Sequence, residues 1–170
     1  LNVVLDGNMD DIDISTPSKE VVVSIDAMLA KLGVKGEYVV LSPFATLKER
    51  NWSVEQSKKL VQMIENKYGI PVVVIGVESD TALAKEMSNK VLTGKTTIMQ
   101  MVQLIKKARF LISVDSGPMH IAGAVKTPVI ALFSKDLPSR WAPRHNCLPI
   151  YLRYECSPCS DEMAKNCQYD

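Results

Sequence analysis

One short stretch restricts the fold of this chain more than any other: the apolar run Phe110–Val114, followed directly by Asp115-Ser116-Gly117-Pro118. Such a run is typical of a strand that is buried on both faces of a parallel sheet. Pro118 has no backbone donor, so it suits the first turn of a helix, where that donor would lack a partner. The stretch therefore predicts a strand leading into a helix start, at the sheet edge where open α/β folds bind ligands.

The same alternation of strand and helix continues along the chain. Strands are predicted at 38–41, 72–75, 110–114 and 128–133, and helices at 18–32, 54–68, 79–88, 98–107 and from 117 onwards. Short connections of this kind give a doubly wound parallel sheet of the α/β class. No G-x-G-x-x-G follows a strand, and neither a Walker A sequence nor a G-x-S-x-G elbow is present, which argues against a dinucleotide fingerprint, a P-loop and a hydrolase.

Capping boxes and apolar spacing indicate where these helices begin and which residues they bury. Ser53 with Gln56 and Thr97 with Gln100 predict two helix starts, and Gly33 predicts a helix end. The buried stripes are expected to comprise Val54, Ser57, Leu60, Val61, Ile64 and Tyr68 in one helix, and Ile98, Met101, Val102 and Ile105 in the other. The small residues Ala122-Gly123-Ala124 predict a helix that lies close against the sheet.

Composition places the chain among ordinary globular proteins of about one domain. Its 170 residues are 46% hydrophobic and 23% charged, which is enough for a substantial core. A formal net charge of +1 gives no reason to expect a nucleic-acid partner. No apolar run approaches the roughly 20 residues of a membrane span and no signal peptide is visible, so a cytoplasmic location is expected. The chain opens inside an apolar run without an initiator Met, which indicates part of a longer protein.

Four loops are expected to meet at the carboxyl edge of the sheet, because parallel strands end there together. They are 42–51 with Thr46, Lys48 and Arg50, 76–80 with Glu78, 92–97, and 115–120 with Asp115, Ser116, Gly117 and His120. Backbone N–H groups at a helix start bind anions, and Arg or Lys neutralises phosphate oxygens. An acid beyond a strand end, such as Glu78, can accept ribose hydroxyls. Together the loops predict a site for a nucleoside diphosphate.

Each signal also has a purely structural interpretation. Asp115 and Ser116 can simply cap a helix, and Glu78 can be an acid in a first helical turn. Lys48-Glu49-Arg50 can be a charged surface loop. The ligand-binding interpretation is preferred because three unrelated loops would otherwise carry these groups by accident.

Two further groups of residues raise the question of a metal ion. Asp10–Asp13 has an Asp-x-Asp spacing, but a charge run of this kind is usually a solvated loop. Cys156-x-x-Cys159, with Cys167 and Cys147, can supply thiolates to zinc. A zinc ribbon needs a second C-x-x-C pair, so free thiols in a terminal loop are preferred. We predict neither a metal ion nor a cofactor.

Several stretches resemble the signature segments of family 9 glycosyltransferases, the heptosyltransferase-like enzymes of lipopolysaccharide assembly. The most specific are 115–124 (DSGPMHIAGA) and 127–133 (TPVIALF). Further similar segments are 92–96 (LTGKT), 136–143 (DLPSRWAP) and 156–159 (CSPC). The similarity extends from about Tyr38 to Cys167.

The resemblance implies a GT-B fold of two Rossmann-like domains, of which this chain would be the C-terminal, donor-binding one. Residues 18–155 would form that domain, after a linker or terminal strand at 1–17 and before a Cys-containing tail at 156–170. The implied activity is transfer of heptose or a related sugar from a nucleotide diphosphate, with ADP-heptose as donor and lipopolysaccharide core as acceptor. A GT-B nucleotide-sugar epimerase and a zinc-dependent interaction module are the alternatives.

By the same resemblance, the predicted site residues receive roles. Phosphates and sugar would be held by Asp115, Ser116, Gly117 and His120, the ribose by Glu78, and the diphosphate by Arg50, where the family more often has Lys. Thr46 and Lys48 are predicted to bind the donor from their place in the same loop, not from the resemblance. The family's general base is an acid near the start of the N-terminal domain. This chain has no counterpart, since Asp6 lies in the wrong domain. We therefore expect an incomplete enzyme, whose acceptor site and any peripheral contact with the inner membrane would belong to the missing domain.

Overall fold

The computed structural model describes residues 17–155, 157–160 and 162, which form a parallel sheet with helices on both faces. The five strands are β1 (Val39–Ser42), β2 (Val72–Val74), β3 (Phe110–Val114), β4 (Val129–Phe133) and β5 (Cys147–Tyr151), in the order β2-β1-β3-β4-β5. The helices are α1 (Lys19–Lys31), α2 (Val54–Tyr68), α3 (Thr81–Met87), α4 (Ile98–Lys107), α5 (Gly117–Ala124) and α6 (Pro138–Trp141). Short 3₁₀ turns, Lys48–Arg50 and Glu78–Asp80, lie in the loops after β1 and β2.

A one-residue bridge completes the topology of the sheet. Val91 pairs in parallel with Val74 at the end of β2, through two backbone hydrogen bonds of 2.9 Å. With this bridge counted as a rudimentary strand, the strand order is that of a Rossmann sheet. The connections then leave in opposite directions from the central pair, β1 and β3, whose carboxyl ends form the topological switch point.

The helices divide between the two faces, as strands that are apolar on both sides require. On one face, α1, α4 and α5 contribute to a cluster that includes Ile25, Leu29, Val40, Leu104, Ile105, Leu111, Met119 and Ala122. On the other, α2 and α3 contribute to a cluster that includes Val39, Leu41, Val61, Ile64, Ala84, Met87 and Ile112. Full burial of such a side chain contributes about 1.5–3 kcal/mol. The two clusters cover both faces of the sheet, and the predicted doubly wound parallel α/β fold is confirmed.

The predicted helix starts and the predicted end of α1 are confirmed by their caps. Thr97 and Gln100 exchange both bonds of the capping box before α4, at 3.2 and 2.9 Å. Before α2, Ser53 accepts from the N–H of Gln56 at 3.4 Å. The return bond from Gln56 is not formed within the described part of the chain, so this box is half complete. Gly33, with φ of 70°, ends α1.

Two predictions about packed positions were wrong, and a third, that of the small residues in α5, holds only in part. Tyr68, the last residue of α2, is 61% exposed, and Ile98, the first residue of α4, is 72% exposed. A side chain at a helix terminus has helical neighbours on one side only, so both stay in solvent. Gly123 faces the loop after α6, because a Cβ there would lie 2.8 Å from Cβ of Pro143. Within α5, Ala122 is the residue that packs in the core.

The edge strand β5 had no counterpart in the sequence prediction. It contains Pro149, and a proline inside an apolar run argues against a strand. At a sheet edge, however, the proline removes no ladder hydrogen bond. β5 pairs with β4 along its whole length, from Val129–Cys147 to Phe133–Tyr151.

Several predictions fall outside the described residues. The segment 1–17 does so except for Pro17, and with it Asp6 and the acidic run Asp10–Asp13. In the predicted tail 156–170, the described residues are 157–160 and 162, so Cys156 and Cys167 are not among them. The division into 1–17, 18–155 and 156–170 stays a prediction. None of the described helices is both long enough and apolar enough to cross a membrane.

Candidate functional site

The candidate site lies at the carboxyl ends of β1 and β3. These strands run in register up to Ser42 and Ser113. From there the chain turns toward α2 on one face and toward α5 on the other. Connections that diverge in this way leave a crevice, which is where doubly wound sheets bind ligands. Two of the predicted residues, Arg50 and Asp115, meet at this point.

Arg50 connects three loops at the crevice. It ends the 3₁₀ turn after β1, and its Nη1 lies 3.5 Å from the carbonyl oxygen and 3.6 Å from Oδ2 of Asp115. Its Nη2 donates to Oδ2 of Asp136, in the loop after β4, at 2.6 Å. The Nε of Arg50 is buried and finds no hydrogen-bond partner among the described residues. The guanidinium thus ties together the ends of β1, β3 and β4.

Asp115 is a buried acid that shares this guanidinium with a second carboxylate. Its side chain is 7% exposed, against 25% for Asp136. Burial has the largest influence on Asp115 and raises its pKa above the usual range. The charges of Arg50 and His120 oppose this rise in pKa, and the charge of Asp136 adds to it. With both acids ionised, the cluster of two carboxylates and one guanidinium has a formal charge of −1. The positive charge of Arg50, which was predicted to meet a phosphate, is therefore more than neutralised by the two carboxylates.

The first turn of α5 is open. Ser116 is in the N-cap position, yet its side chain accepts no hydrogen bond from the helix. Its Oγ bonds instead to the carbonyl oxygen of Val114 at 3.2 Å, and the carboxylate of Asp115 is directed at Arg50. The interpretation of Ser116 as a side-chain cap is therefore wrong, and the helix start keeps its capacity for an anion. A Cβ on Gly117 would meet nothing within 4 Å, so the approach is unobstructed.

Three predicted residues are exposed in the elements around the crevice. Thr46 and Lys48 lie in the loop after β1, and His120 lies in α5. Asn51 stabilises that loop, because its Oδ1 accepts from the N–H of Ala45 at 2.7 Å. These side chains are accessible to a ligand, although no contact between them and Arg50 defines their arrangement.

Glu78 lies at the end of the neighbouring strand, since β2 pairs with β1. It begins the 3₁₀ turn after β2 and is exposed. Gly94 packs against it: its N–H donates to the carbonyl oxygen of Gly76 at 3.0 Å. Gly94 has φ of 66°, and a Cβ there would collide with Oε2 of Glu78 and lie 2.9 Å from its Cα. Any side chain at position 94 would therefore displace Glu78, and glycine avoids this collision.

The sequence assigned no role to Asp136 or Gly94. Asp136 is the third residue after β4, and an acid beyond a buried strand is the same signal that identified Asp115. The contact between Gly94 and Glu78 joins two loops, and no local pattern predicts it.

A separate cavity of about 570 Å³ lies at the opposite edge, at the amino ends of β3, β4 and β5. Its lining is mostly apolar and includes Arg109, which is paired with Glu37 at 2.9 Å. The predicted site residues are all at the other edge, so this cavity is not the candidate site.

The described residues contain no group of three or more His, Cys, Asp or Glu side chains that could hold a metal ion. Cys147 carries a thiol rather than a disulfide. Burial raises the pKa of the Cys147 thiol, which disfavours the thiolate that zinc requires. Cys156 and Cys167 of the proposed zinc set lie outside the described residues.

Comparison with known sequences gives a family for this chain. The profile of glycosyltransferase family 9 (heptosyltransferase) matches residues 4–169. Lipopolysaccharide heptosyltransferase 3 of Escherichia coli (strain K12) is 32% identical over 151 residues, which cover 83% of this chain and 44% of that protein. The chain thus spans less than half the length of this curated relative. Neither the epimerase nor the zinc-dependent module is supported.

Solved structures agree on the fold. The glycosyl transferase family 9 protein from Veillonella parvula DSM 2008 matches with a TM-score of 0.73 at 19% identity, over 81% of this chain and 42% of its own. E. coli heptosyltransferase WaaC with ADP matches with a TM-score of 0.62 at 22% identity, over 77% of this chain and 43% of its own. These matches confirm the Rossmann-like parallel sheet, and each covers less than half of the neighbouring chain. Together with the profile match along almost the entire sequence, they lead to one conclusion: the chain belongs to glycosyltransferase family 9, the heptosyltransferase family.

Proposed function

We propose that this chain binds the diphosphate of a nucleotide-sugar donor at the carboxyl edge of its sheet, as the donor-binding half of a glycosyltransferase. The observation that carries the proposal is the open start of α5 at the switch point, with Arg50 held beside it. A helix start offers N–H donors and the positive end of the helix dipole. Arg adds a planar fork that matches phosphate oxygens. Two such elements from different loops favour a ligand with adjacent phosphates.

The other predicted residues fit further parts of the same ligand. Glu78, at the end of β2, is suited to accept hydrogen bonds from ribose hydroxyls. Thr46 and Lys48 are exposed in the loop that carries Arg50, where they can reach phosphate oxygens. Ser116 and His120 flank the start of α5, on the side proposed for the sugar and its phosphate.

These groups suit the chemistry of sugar transfer. When the bond between the anomeric carbon and the diphosphate breaks, negative charge develops on the departing diphosphate. N–H groups and a cation that are already in place stabilise that charge without reorganising during the reaction. Asp115 is buried and bonded to Arg50, so it orients the guanidinium and does not act as a nucleophile.

We further propose ADP-heptose as the donor and lipopolysaccharide core as the acceptor. The family, the name of the E. coli relative and the ADP in the WaaC structure support this choice. The acceptor would contact the rest of a longer enzyme, of which this chain is the donor half. That enzyme would work in the cytoplasm, peripherally at the inner membrane through its other half.

Titration calorimetry with ADP, UDP and GDP tests the proposal. We expect ADP to bind most tightly, with a dissociation constant on the order of 1 mM, because one side of the cleft is missing. Adenosine, which has no phosphate, is the control and should bind at least tenfold more weakly. If no nucleoside diphosphate binds at several millimolar, the site is not preformed in this chain and the proposal fails.

A further inference from the structure

The cation that should meet the diphosphate is already engaged within the protein. Nη2 of Arg50 donates to Asp136 at 2.6 Å, and Nη1 faces Asp115 at 3.5 and 3.6 Å. Nε is buried. Both terminal nitrogens thus have a carboxylate beside them, and the side chain is 24% exposed. A phosphate that reaches the guanidinium is therefore required to compete with Asp115 and Asp136 for its N–H groups.

Charge leads to the same requirement. The cluster has a formal charge of −1 before a diphosphate, itself strongly negative, arrives. Carboxylate and phosphate oxygens use the same donors of an Arg fork, so they compete for them. Adding the ligand without removing a carboxylate would place three anionic groups around one cation.

Asp136 is the carboxylate that can leave. Asp115 is 7% exposed and is fixed by its position directly after β3, where its N–H donates to the carbonyl oxygen of Leu132 at 3.2 Å. Asp136 is 25% exposed and lies in the irregular loop between β4 and α6. Its carboxylate can regain water when it leaves Arg50, whereas a released Asp115 would stay buried and unpaired.

We propose that Asp136 holds the place of a phosphate oxygen on Nη2 of Arg50, and that the donor's diphosphate exchanges with it on binding. This inference rests on the proposed diphosphate site. Asp136 is then a specificity-determining residue, because only a ligand that is anionic enough to displace its carboxylate can bind to Nη2 of Arg50. A nucleoside leaves the pair of Arg50 and Asp136 intact.

The Asp136→Asn variant tests the exchange, because it keeps the side-chain shape and removes the competing charge. We expect calorimetry at fixed ionic strength to show ADP and inorganic pyrophosphate binding roughly 2- to 5-fold more tightly than in the parent, the range for a partly exposed ion pair. Adenosine affinity should not change. Circular dichroism verifies folding, and Asp136→Ser carries the same test if the Asn variant is unfolded.

Glu37→Gln is the matched control. It removes the same charge from an ion pair of 2.9 Å with Arg109, beside the amino end of β1 and thus at the opposite edge of the sheet. Glu37→Gln should leave the affinities for ADP, pyrophosphate and adenosine unchanged. That result would exclude an effect of net charge alone. Unchanged or weaker pyrophosphate binding in Asp136→Asn overturns the inference, and so does the absence of pyrophosphate binding in both proteins. If ADP binds no better than pyrophosphate, the proposed nucleotide site is rejected. The pyrophosphate measurements still test whether the ligand displaces Asp136 from Arg50.

Discussion

Gly117 and Gly123 lie in the same eight-residue helix, but they are glycines for different reasons. A Cβ on Gly117 would meet nothing within 4 Å, whereas one on Gly123 would lie 2.8 Å from Cβ of Pro143. Neither has a positive φ, so backbone strain requires glycine at neither position. Packing explains Gly123. Gly117 has no explanation within the chain, which fits a ligand that approaches the backbone closely.

Gly117→Ala should therefore separate binding from stability. We expect the free energy of unfolding to stay unchanged or to rise by up to about 1 kcal/mol, because Ala favours a helix more than Gly does. ADP should bind at least roughly tenfold more weakly, since the new methyl group would stand where the phosphate approaches. Urea unfolding and calorimetry on the same preparation measure both quantities.

Gly123→Ala is the matched control in the same helix. Its methyl group would press on Pro143, and overpacking of this kind costs about 1–3 kcal/mol of stability. Its ADP affinity, measured well below the unfolding temperature, should equal that of the parent. If Gly117→Ala binds ADP as the parent does, the start of α5 is not the phosphate site.

Single residues were predictable from the sequence where one local rule applied. An acid directly after a buried strand identified Asp115, and a cation in the loop after β1 identified Arg50. Their mutual contact, and the share that Asp136 takes in it, depend on strands that are far apart in the sequence. The sequence treated Arg50 as an available cation because nothing local shows a partner 86 positions further along the chain.

At the level of elements, the 3₁₀ turn after β2 and the loop after the Val91 bridge form one unit. Gly94 brings the two together, and its φ of 66° alone would make a side chain unfavourable. Gly69, which ends α2, has the same φ of 66° but nothing within 4 Å of a Cβ. The two glycines therefore share the backbone strain and differ in the contact with Glu78.

This difference yields a prediction about ribose recognition. Gly94→Ala and Gly69→Ala should each lose about 1–2 kcal/mol of stability from the left-handed backbone, with a further loss for Gly94→Ala through its collision with Glu78. The preference for ADP over 2′-deoxy-ADP should fall in Gly94→Ala and persist in Gly69→Ala. An unchanged preference in Gly94→Ala would mean that Glu78 does not contact the ribose.

Regular elements were predictable to the extent that one physical signal controlled them. Continuous apolar runs predicted β1 to β4, and caps predicted α2 and α4. β5 was missed because Pro149 argues against a strand, and only its place at the sheet edge makes that proline harmless. Tyr68 and Ile98 fitted the apolar stripes, but spacing along a helix does not show where the packed surface ends.

At the scale of the whole molecule, the groups proposed to be functional are concentrated at one edge of one sheet. They suit a donor: N–H groups at a helix start, cations and an acid for the ribose. Four acids that follow strands in the described part already have structural contacts. Asp115 and Asp136 share Arg50, Asp80 accepts from the N–H of Val77 at 2.9 Å, and Glu78 lies against Gly94. None of these is placed as a base for a second substrate.

We therefore predict that this chain does not catalyse sugar transfer alone. Displacement at an anomeric carbon needs a base within hydrogen-bond reach of the acceptor hydroxyl, opposite the leaving diphosphate, and loss of that base costs about 10²–10⁴-fold in rate. In a two-domain cleft the opposite face belongs to the other half, and this chain spans 44% of its E. coli relative.

The measurement is ADP release from ADP-heptose with a lipopolysaccharide-core acceptor, on a preparation already shown to bind ADP. The E. coli heptosyltransferase 3, tested in parallel, shows that the reagents are competent. We expect the chain to release ADP no faster with acceptor than without it, because nothing in it activates the acceptor hydroxyl. Turnover on the order of 1–10³ per second, as in typical enzymes, would place the base within these residues. Exposed His120 and Glu78 would then be the first candidates, since Asp115 is held by Arg50 and is shielded from an acceptor.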